Sequence, residues 1–299
     1  MSMRWRDYVF PSIAAVIAAA GVVTTSSGNS LYLLDLVDPS NELTEESITW
    51  AKTRDIAPWV SSVVAVEVSD EGWERSASGV VLDTVYVKSQ KRWHTYILTA
   101  GHVVLRYDHA SPEDRAAWEK CAMSRVRNAT LPWEAPSACR FMKEVSVLDQ
   151  KAELLKWESW WFVDLALLKI VTPDYPRLWL HERQVDVQAA ILSTRTPKTT
   201  EEVWTVGFPG GIRMITQGYV GANGFSHSAA SMPGSTGGGV FRDGRLIGIN
   251  VIRASTGKFG ASVPVWAMNV QDIQEFLDDA YGDLATTDSM TAWVAGLWK

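Results

Sequence analysis

The stretch that decides the fold is SMPGSTGGGVF, residues 231–241. Gly234 lies two positions before Thr236, and Gly237 and Gly238 follow it directly. Glycines on both sides let the backbone turn sharply, so that backbone N–H groups can converge on a carbonyl oxygen while the central hydroxyl faces it. The spacing is typical of a loop that presents a nucleophile, although a serine is the residue expected at the centre. A single glycine-rich turn is weak support for a function.

Two further stretches supply the groups that a hydroxyl nucleophile needs. In YILTAGHVV (96–104) an apolar run leads into a turn that presents His102, whose imidazole can accept a proton near pH 7. In WWFVDLALLKI (160–170) Asp164 interrupts an apolar run, where a carboxylate is costly unless a group such as a histidine N–H pairs with it. Taken singly, each also has a structural interpretation, as a core histidine or an edge-strand aspartate. Together with Thr236 they supply a base, a group that orients the base, and a nucleophile.

Composition and charge limit the partners. The chain has 299 residues, of which 46% are hydrophobic and 21% charged, and this indicates a folded protein. Its formal net charge of −6 and the lack of long Lys/Arg blocks exclude nucleic acid as an expected partner. The five histidines show no HExxH or paired spacing, so neither a metal nor another cofactor is expected.

The N-terminal segment, 1–30, has a short basic start followed by an almost uncharged run at 8–23. As a helix this run would rise about 24 Å, short of the roughly 30 Å hydrocarbon core of a bilayer. Three interpretations stay open: an uncleaved membrane anchor, a cleaved signal peptide, or a helix buried in the protein or a partner. The first two would place the protein outside the cytoplasm, either anchored or secreted.

Beyond this segment the pattern predicts an all-β domain with peripheral helices. Short apolar or alternating runs from Ser61 onward predict strands. Helices are predicted near 42–54, at 111–126 and at 269–280. The last helix has an apolar face, formed by Val270, Ile273, Phe276 and Leu277. The domain is expected to span 31–281.

These motifs, in this order, resemble those of trypsin-like peptidases of the chymotrypsin fold, and most closely the bacterial high-temperature-requirement-type branch. YILTAGHVV resembles the histidine loop of that family, DLALLKI its aspartate strand, and SMPGSTGGGVF its nucleophile loop. SASGVVLDT (76–84) resembles its Ser-Gly turn and second strand, and VGFPGGIRMITQGYVGA (206–222) its glycine-proline turn and the next strand. The resemblance covers roughly residues 50–280.

The resemblance implies two six-stranded barrels with a C-terminal helix and a site in the crevice between the barrels. His102, Asp164 and Thr236 would be the catalytic residues, and the backbone N–H groups of Gly234 and Thr236 would form the oxyanion hole. Proteins or peptides would be the substrates. His227 would lie near the specificity pocket, either as a cation that favours acidic side chains or in a solvated loop. The pocket itself would be lined by small residues: Ala230, Ser231, Ala261 and Ser262.

The chain also departs from the family pattern. No PDZ-like domain is expected, because only the tail 282–299 follows the last helix. The segment 107–160 is longer than usual and is predicted to hold an inserted helix with both cysteines. The proline that usually follows the Gly-Gly pair is Gly239. Ser235 is an alternative nucleophile, although Pro233 would then stand where a glycine is required.

Thr236 leaves two functions open. Its hydroxyl can attack with the help of a base, but the extra methyl stiffens the side chain and must fit beside His102 or the oxyanion hole. A misplacement of about 1 Å can lower a rate on the order of a hundredfold. The first function is therefore a slow endopeptidase. The second is a catalytically inactive trypsin-fold protein that binds peptides or serves as a structural component of a membrane or particle assembly, with the N-terminal segment and the Trp-containing tail as contacts for its partners.

The two cysteines generate a prediction about the compartment. If the N-terminal segment exports the domain, Cys121 and Cys139 form a disulfide that closes the inserted loop and stabilises the fold by roughly 3 kcal/mol through loop-closure entropy. Titration of the unreduced protein with a thiol reagent would then detect no free thiol. Two reactive thiols would contradict the prediction and indicate a reducing compartment.

Overall fold

The structure is a computed structural model that describes residues 22–24, 30–33, 58–70, 73–105, 141–159, 163–180, 183–221, 226–251 and 265–284. The predicted helices near 42–54 and at 111–126, both cysteines, Ala261 and Ser262 lie outside the described residues. In chain order the elements are β1 (Val22–Thr24), β2 (Ser30–Leu33), β3 (Val63–Asp70), β4 (Trp73–Val87), β5 (Arg92–Thr99), β6 (Glu144–Val147), β7 (Gln150–Lys151), β8 (Glu153–Ser159), β9 (Asp164–Thr172), β10 (Arg177–Leu180), β11 (Arg183–Asp186), β12 (Glu202–Gly207), β13 (Met214–Tyr219), β14 (Ser226–His227), β15 (Gly239–Arg242), β16 (Arg245–Val251), β17 (Val265–Asn269) and the helix α1 (Val270–Leu284).

The first sheet, in the order β7-β6-β3-β4-β5-β9-β8, closes into a barrel. β7 and β8 are one run of chain interrupted only at Ala152, and β7 pairs with β6 while β8 pairs with β9. The Ala152 N–H donates to Val145 O at 2.7 Å, which carries the pairing with β6 to the start of β8. Both ends of the sheet are therefore the same segment, and six segments of chain form the barrel wall.

The strand β3 shows why these segments pair as they do. Val64, Val66 and Val68 are buried, whereas Glu67 between them is exposed. This alternation is that of a strand with one face towards a core. The buried valines belong to the larger of two apolar clusters among the described residues, and this cluster also contains Ile273 and Phe276 of α1.

The second sheet has the order β1-β2-β13-β12-β15-β16-β17-β14. It closes where the chain beyond β13 meets β14: Val220 bridges His227, and the Gly221 N–H donates to Ser226 O at 2.7 Å. Six strands, from β13 through β12, β15, β16 and β17 to β14, form this barrel, and the hairpin β1–β2 adds to the edge of β13. The all-β class with two six-stranded barrels is confirmed.

The helix α1 follows β17 directly and confirms the third predicted helix. Asn269 caps it, because Asn269 Oδ1 accepts the N–H groups of Gln271 and Asp272 at 2.7 and 3.0 Å. Lys156 of β8 donates to Asp279 at 3.0 Å, so the helix packs on the first barrel after the chain has left the second. The predicted apolar face is buried: Val270, Ile273, Phe276 and Leu277.

The sequence-based bounds need one correction. β6, β7 and β8 lie within 144–159, inside the segment 107–160 that was predicted to be an insertion. This part is barrel wall. Its strands were not predicted because they are short and turn sharply at Leu148 and Asp149, both with positive φ, and so leave no long apolar run in the sequence. The remainder of the predicted insertion up to residue 140 lies outside the described residues.

At the N-terminus, β1 holds the last two residues of the uncharged run 8–23 and pairs with β2. Among the helices in the described ranges, none is long and apolar enough to cross a membrane. Association with a membrane through this run and a location outside the cytoplasm stay predictions, as do the domain bounds at 31 and 281.

Candidate active site

His102 and Asp164 lie close together because His102 follows β5, Asp164 begins β9, and these two strands are paired. His102 lies in a 3-10 turn directly after β5, and Asp164 is the first residue of β9. β5 and β9 pair antiparallel up to Thr99 and Ala166, so the end of one strand lies beside the start of the other. The structure thus brings together two residues that are 62 positions apart in the chain.

Both oxygens of the Asp164 carboxylate bind His102. The His102 ring Nδ1 lies 2.5 Å from Asp164 Oδ2, and the His102 backbone N–H donates to Asp164 Oδ1 at 2.8 Å. Asp164 is buried, 5% exposed, so these two donors replace the water that its charge would otherwise bind. With Nδ1 as the donor to the carboxylate, Nε2 of the neutral ring is the acceptor. The pair therefore presents a base whose orientation is set from both ring and backbone.

The approach of the turn to Asp164 depends on Gly101. A Cβ at this position would overlap the backbone oxygen of Glu158 and would lie 2.9 Å from Asp164 Oδ1. Real Cβ atoms do not come so close to backbone oxygens, so any other residue would push the turn away from β8 and β9. Glycine at 101 is therefore a condition for both contacts between His102 and the carboxylate.

The loop that carries Thr236 begins with a tight turn. The Ser235 N–H donates to Met232 O at 2.9 Å, with Pro233 and Gly234 at the central positions. Gly234 has φ +101, and a proline followed by a glycine of positive φ matches a type II turn. A residue with a side chain would be strained here, which explains the glycine two positions before Thr236.

The second half of the loop is held by backbone bonds. The Gly238 N–H donates to Ser235 O at 3.0 Å, and the Gly237 N–H donates to Asn250 O at 2.8 Å. Because N–H and C=O of one peptide point in opposite directions, the bond at Ser235 O directs the Thr236 N–H to the other side of the loop. Within the part of the chain that the structure describes, the N–H groups of Gly234 and Thr236 donate to no acceptor. Two such donors in one loop can bind an oxyanion.

The two hydroxyls of the loop have different surroundings. Ser235 is 2% exposed, and a Cβ on Gly207 of β12 would lie 3.0 Å from Ser235 Cβ. Ser235 Oγ lies 3.4 Å from the Met232 N, so it faces back onto its own turn. This geometry favours Thr236, 8% exposed, as the hydroxyl available to a substrate.

Ser78 of β4 connects the histidine loop to the Thr236 loop. Its backbone oxygen accepts a hydrogen bond from Thr99 Oγ1 at 2.6 Å, three residues before His102. Its backbone N–H donates to Thr236 O at 2.8 Å. The sequence marked this serine only as part of a Ser-Gly turn, and no role was predicted for its side chain.

Comparison with known proteins identifies the family. The model of the trypsin-like peptidase domain matches residues 77–249, more than half of the chain. The chain belongs to the trypsin-like peptidase family. Among solved structures it is similar to the crystal structure of the serine endoprotease from Yersinia pestis, with 19% identity and a TM-score of 0.47, over 81% of this chain and 69% of that one. A search of curated protein sequences finds no match.

The trypsin-like peptidase domain is that of serine-type hydrolases, and it implies proteins or peptides as the class of substrate. Among the described residues, no group of three or more His, Cys, Asp or Glu side chains converges on a point where a metal could bind. Of the predicted pocket residues, Ala230 and Ser231 are partly exposed, and Ala230 O accepts a hydrogen bond from Thr216 Oγ1 at 2.7 Å.

His227 differs from both sequence-based interpretations of it. It lies in β14, is 3% exposed, and its Nε2 lies 2.7 Å from Asn250 Oδ1. Burial lowers the pKa of His227 to about 4, which outweighs the hydrogen bonds to Asn250 and to the Ala229 backbone. His227 is therefore a neutral, buried histidine of β14, neither a solvated residue nor a cation.

The pKa of His227 generates a prediction about stability. Between pH 6.5 and 4 the unfolded chain binds a proton at this residue that the folded peptidase does not, so its contribution to the free energy of unfolding falls as the pH decreases. At pH 5 the loss is about 2 kcal/mol relative to pH 7.5. The free energy of unfolding, measured with urea at both pH values, should decrease from pH 7.5 to pH 5 by about 2 kcal/mol less in His227→Gln than in the wild type. An identical pH dependence of the two proteins would contradict the prediction.

Proposed function

We propose that this trypsin-like peptidase is a slow endopeptidase with Thr236 as nucleophile, His102 as general base, and Asp164 as the group that orients the imidazole. The observation that carries the proposal is the double contact of His102 with the buried Asp164 carboxylate. It holds the ring in the tautomer with an acceptor at Nε2, and it stabilises the imidazolium that forms when the ring takes a proton.

The reaction follows from these positions. His102 Nε2 takes the proton of the Thr236 hydroxyl while Oγ1 forms a bond to the scissile carbonyl carbon. The carbonyl oxygen becomes an oxyanion and accepts the N–H groups of Gly234 and Thr236. The imidazolium then gives its proton to the leaving amine, and the peptide C–N bond breaks. Water, activated by the same ring, hydrolyses the ester to Thr236.

The threonine makes this enzyme slow rather than inert. Thr236 is nearly buried, and its β-branched side chain has few accessible rotamers, so the methyl restricts where Oγ1 can lie relative to His102. The hydroxyl keeps the chemistry of a serine. The loss is therefore one of alignment, for which about 1 Å corresponds to roughly a hundredfold in rate.

Replacing the nucleophile tests this assignment. Thr236→Ser removes the methyl and is expected to raise kcat/KM on peptide substrates at least about tenfold, because the hydroxyl can then reach its aligned position. His102→Ala is expected to abolish activity in both backgrounds. Ser235→Ala is the matched control on the neighbouring hydroxyl and should leave kcat/KM within about threefold. A Thr236→Ser protein that is folded yet inert on broad peptide libraries would contradict the proposal.

The alternative function is a catalytically inactive, peptide-binding or structural protein, and the threonine at the nucleophile position is the observation in its favour. A phosphonylating probe of serine peptidases separates the two functions in the unmodified chain. Labelling at Thr236 supports an enzyme with Thr236 as nucleophile, and labelling at Ser235 would identify Ser235 as the nucleophile instead. If neither the wild type nor Thr236→Ser is labelled, the inactive protein is the better description.

The pocket residues generate a prediction about the side chain before the scissile bond. The stretch 228–233 holds no acidic residue, so a buried lysine or arginine of the substrate would lack a counter-charge there. His227 is neutral and does not favour acidic side chains. Small or medium apolar side chains are therefore expected, because Ala230, Ser231, Ala261 and Ser262 leave space for them. Profiling of Thr236→Ser against a mixed peptide library checks this, and dominant cleavage after arginine or lysine would reject the pocket.

A further inference from the structure

Ser78 is a residue of the first barrel that holds the nucleophile loop of the second. It is fully buried, and each of its polar groups binds another segment. Its backbone N–H donates to Thr236 O at 2.8 Å, and its backbone oxygen accepts from Thr99 Oγ1 at 2.6 Å. Its hydroxyl donates to Gly234 O at 2.7 Å and accepts the Phe208 N–H, also at 2.7 Å.

Two glycines leave room for these contacts. A Cβ on Gly237 would overlap the backbone oxygen of Ser78 and the hydroxyl of Thr99. A Cβ on Gly207 would lie 3.2 Å from Ser78 Oγ and 2.9 Å from Ser235 Cα. The nucleophile loop and β12 therefore approach Ser78 more closely than residues with side chains would allow.

The Ser78 hydroxyl fixes one peptide of the loop. The oxygen of the Gly234–Ser235 peptide is bound by Ser78 Oγ, and its N–H is bound by Met232 O at 2.9 Å. With both ends held, this peptide cannot rotate independently of the first barrel. The carbonyl oxygen of Thr236 is bound as well, by the backbone N–H of Ser78. The two residues anchored by Ser78 are those whose N–H groups bind the oxyanion in the proposed function.

We infer that Ser78 is a positioning residue for the oxyanion hole: its hydroxyl holds the Gly234 carbonyl so that the N–H groups of Gly234 and Thr236 stay aligned on the developing oxyanion. The inference rests on the proposed function. Without the hydroxyl the Gly234–Ser235 peptide is held at one end only, and the Phe208 N–H loses its acceptor. The oxyanion exists only after attack, so the loss falls on kcat and leaves KM nearly unchanged.

The experiment uses the full chain in the Thr236→Ser background. Ser78→Ala is expected to lower kcat about a hundredfold, with KM within about threefold, and to weaken binding of a peptide aldehyde, whose hemiacetal oxygen occupies the same hole, by a similar factor. Ser78→Thr keeps a hydroxyl and is expected to recover at least about tenfold of the lost kcat. Ser76→Ala is the matched control, because Ser76 lies on the same strand and its hydroxyl donates to Phe208 O at 3.2 Å rather than to Gly234 O.

The outcomes separate this inference from the proposed function. If the Thr236→Ser parent is inert and unlabelled, the proposed function fails, and the role of Ser78 fails with it. If the parent is active but Ser78→Ala matches Ser76→Ala, or loses kcat with unchanged aldehyde binding, only the role of Ser78 is rejected. If Ser78→Ala shows no cooperative thermal unfolding while Ser78→Thr does, the hydroxyl is needed for folding and the positioning role is likewise rejected.

Discussion

The rest of the site depends on one carboxylate held out of water. Asp164 begins a strand whose next four residues are fully buried, so its charge must be satisfied by protein donors. His102 supplies two such donors, one from its ring and one from its backbone. This requirement fixes where the turn after β5 can lie, demands glycine at 101, and sets the tautomer of the imidazole. A single electrostatic constraint thus determines the backbone path and the direction of the proton acceptor.

The second constraint is the contact between the barrels. Each barrel has its own closed ladder of backbone bonds, and the loop with Thr236 belongs to the second barrel while His102 belongs to the first. Relative placement of the two therefore cannot come from within either barrel. It comes from buried hydrogen bonds across the interface. Because hydrogen bonds are directional, they fix the relative position of the two barrels as well as holding them together. Ser78 forms three of them, with Thr236, Gly234 and Phe208. A fourth bond, from Thr99 Oγ1 to Ser78 O, lies within the first barrel.

The features that could be predicted from the sequence are those with a local signal. Apolar runs marked β5, β9, β12 and β16, and the helical spacing marked α1. The strands β6 and β7 were missed because they are short and separated by a sharp turn, and β8 because it carries Lys156, buried and paired with Asp279 at a separation of 123 positions, which no local pattern indicates. β14 is two residues long, too short for periodicity, so His227 was placed in a loop or given a charge. The order of His102, Asp164 and the glycine-framed loop was visible, whereas the link from Ser78 to Gly234 spans 156 positions and was not.

The buried polar groups also bear on whether the site is catalytic. Burial of the Asp164 carboxylate costs desolvation free energy that its hydrogen bonds have to offset, so an apolar side chain of the same volume could be as stabilising at this position. The stability of the first barrel therefore does not explain a carboxylate at 164. The stability of the second barrel does not explain the positive φ at Gly234 and Gly237 either, since glycine loses more chain entropy on folding than other residues. In the proposed function these features share one use, which is to hold a base, a hydroxyl and two N–H donors around a carbonyl group. A threonine in that arrangement alters the position of one oxygen and leaves the remaining parts intact.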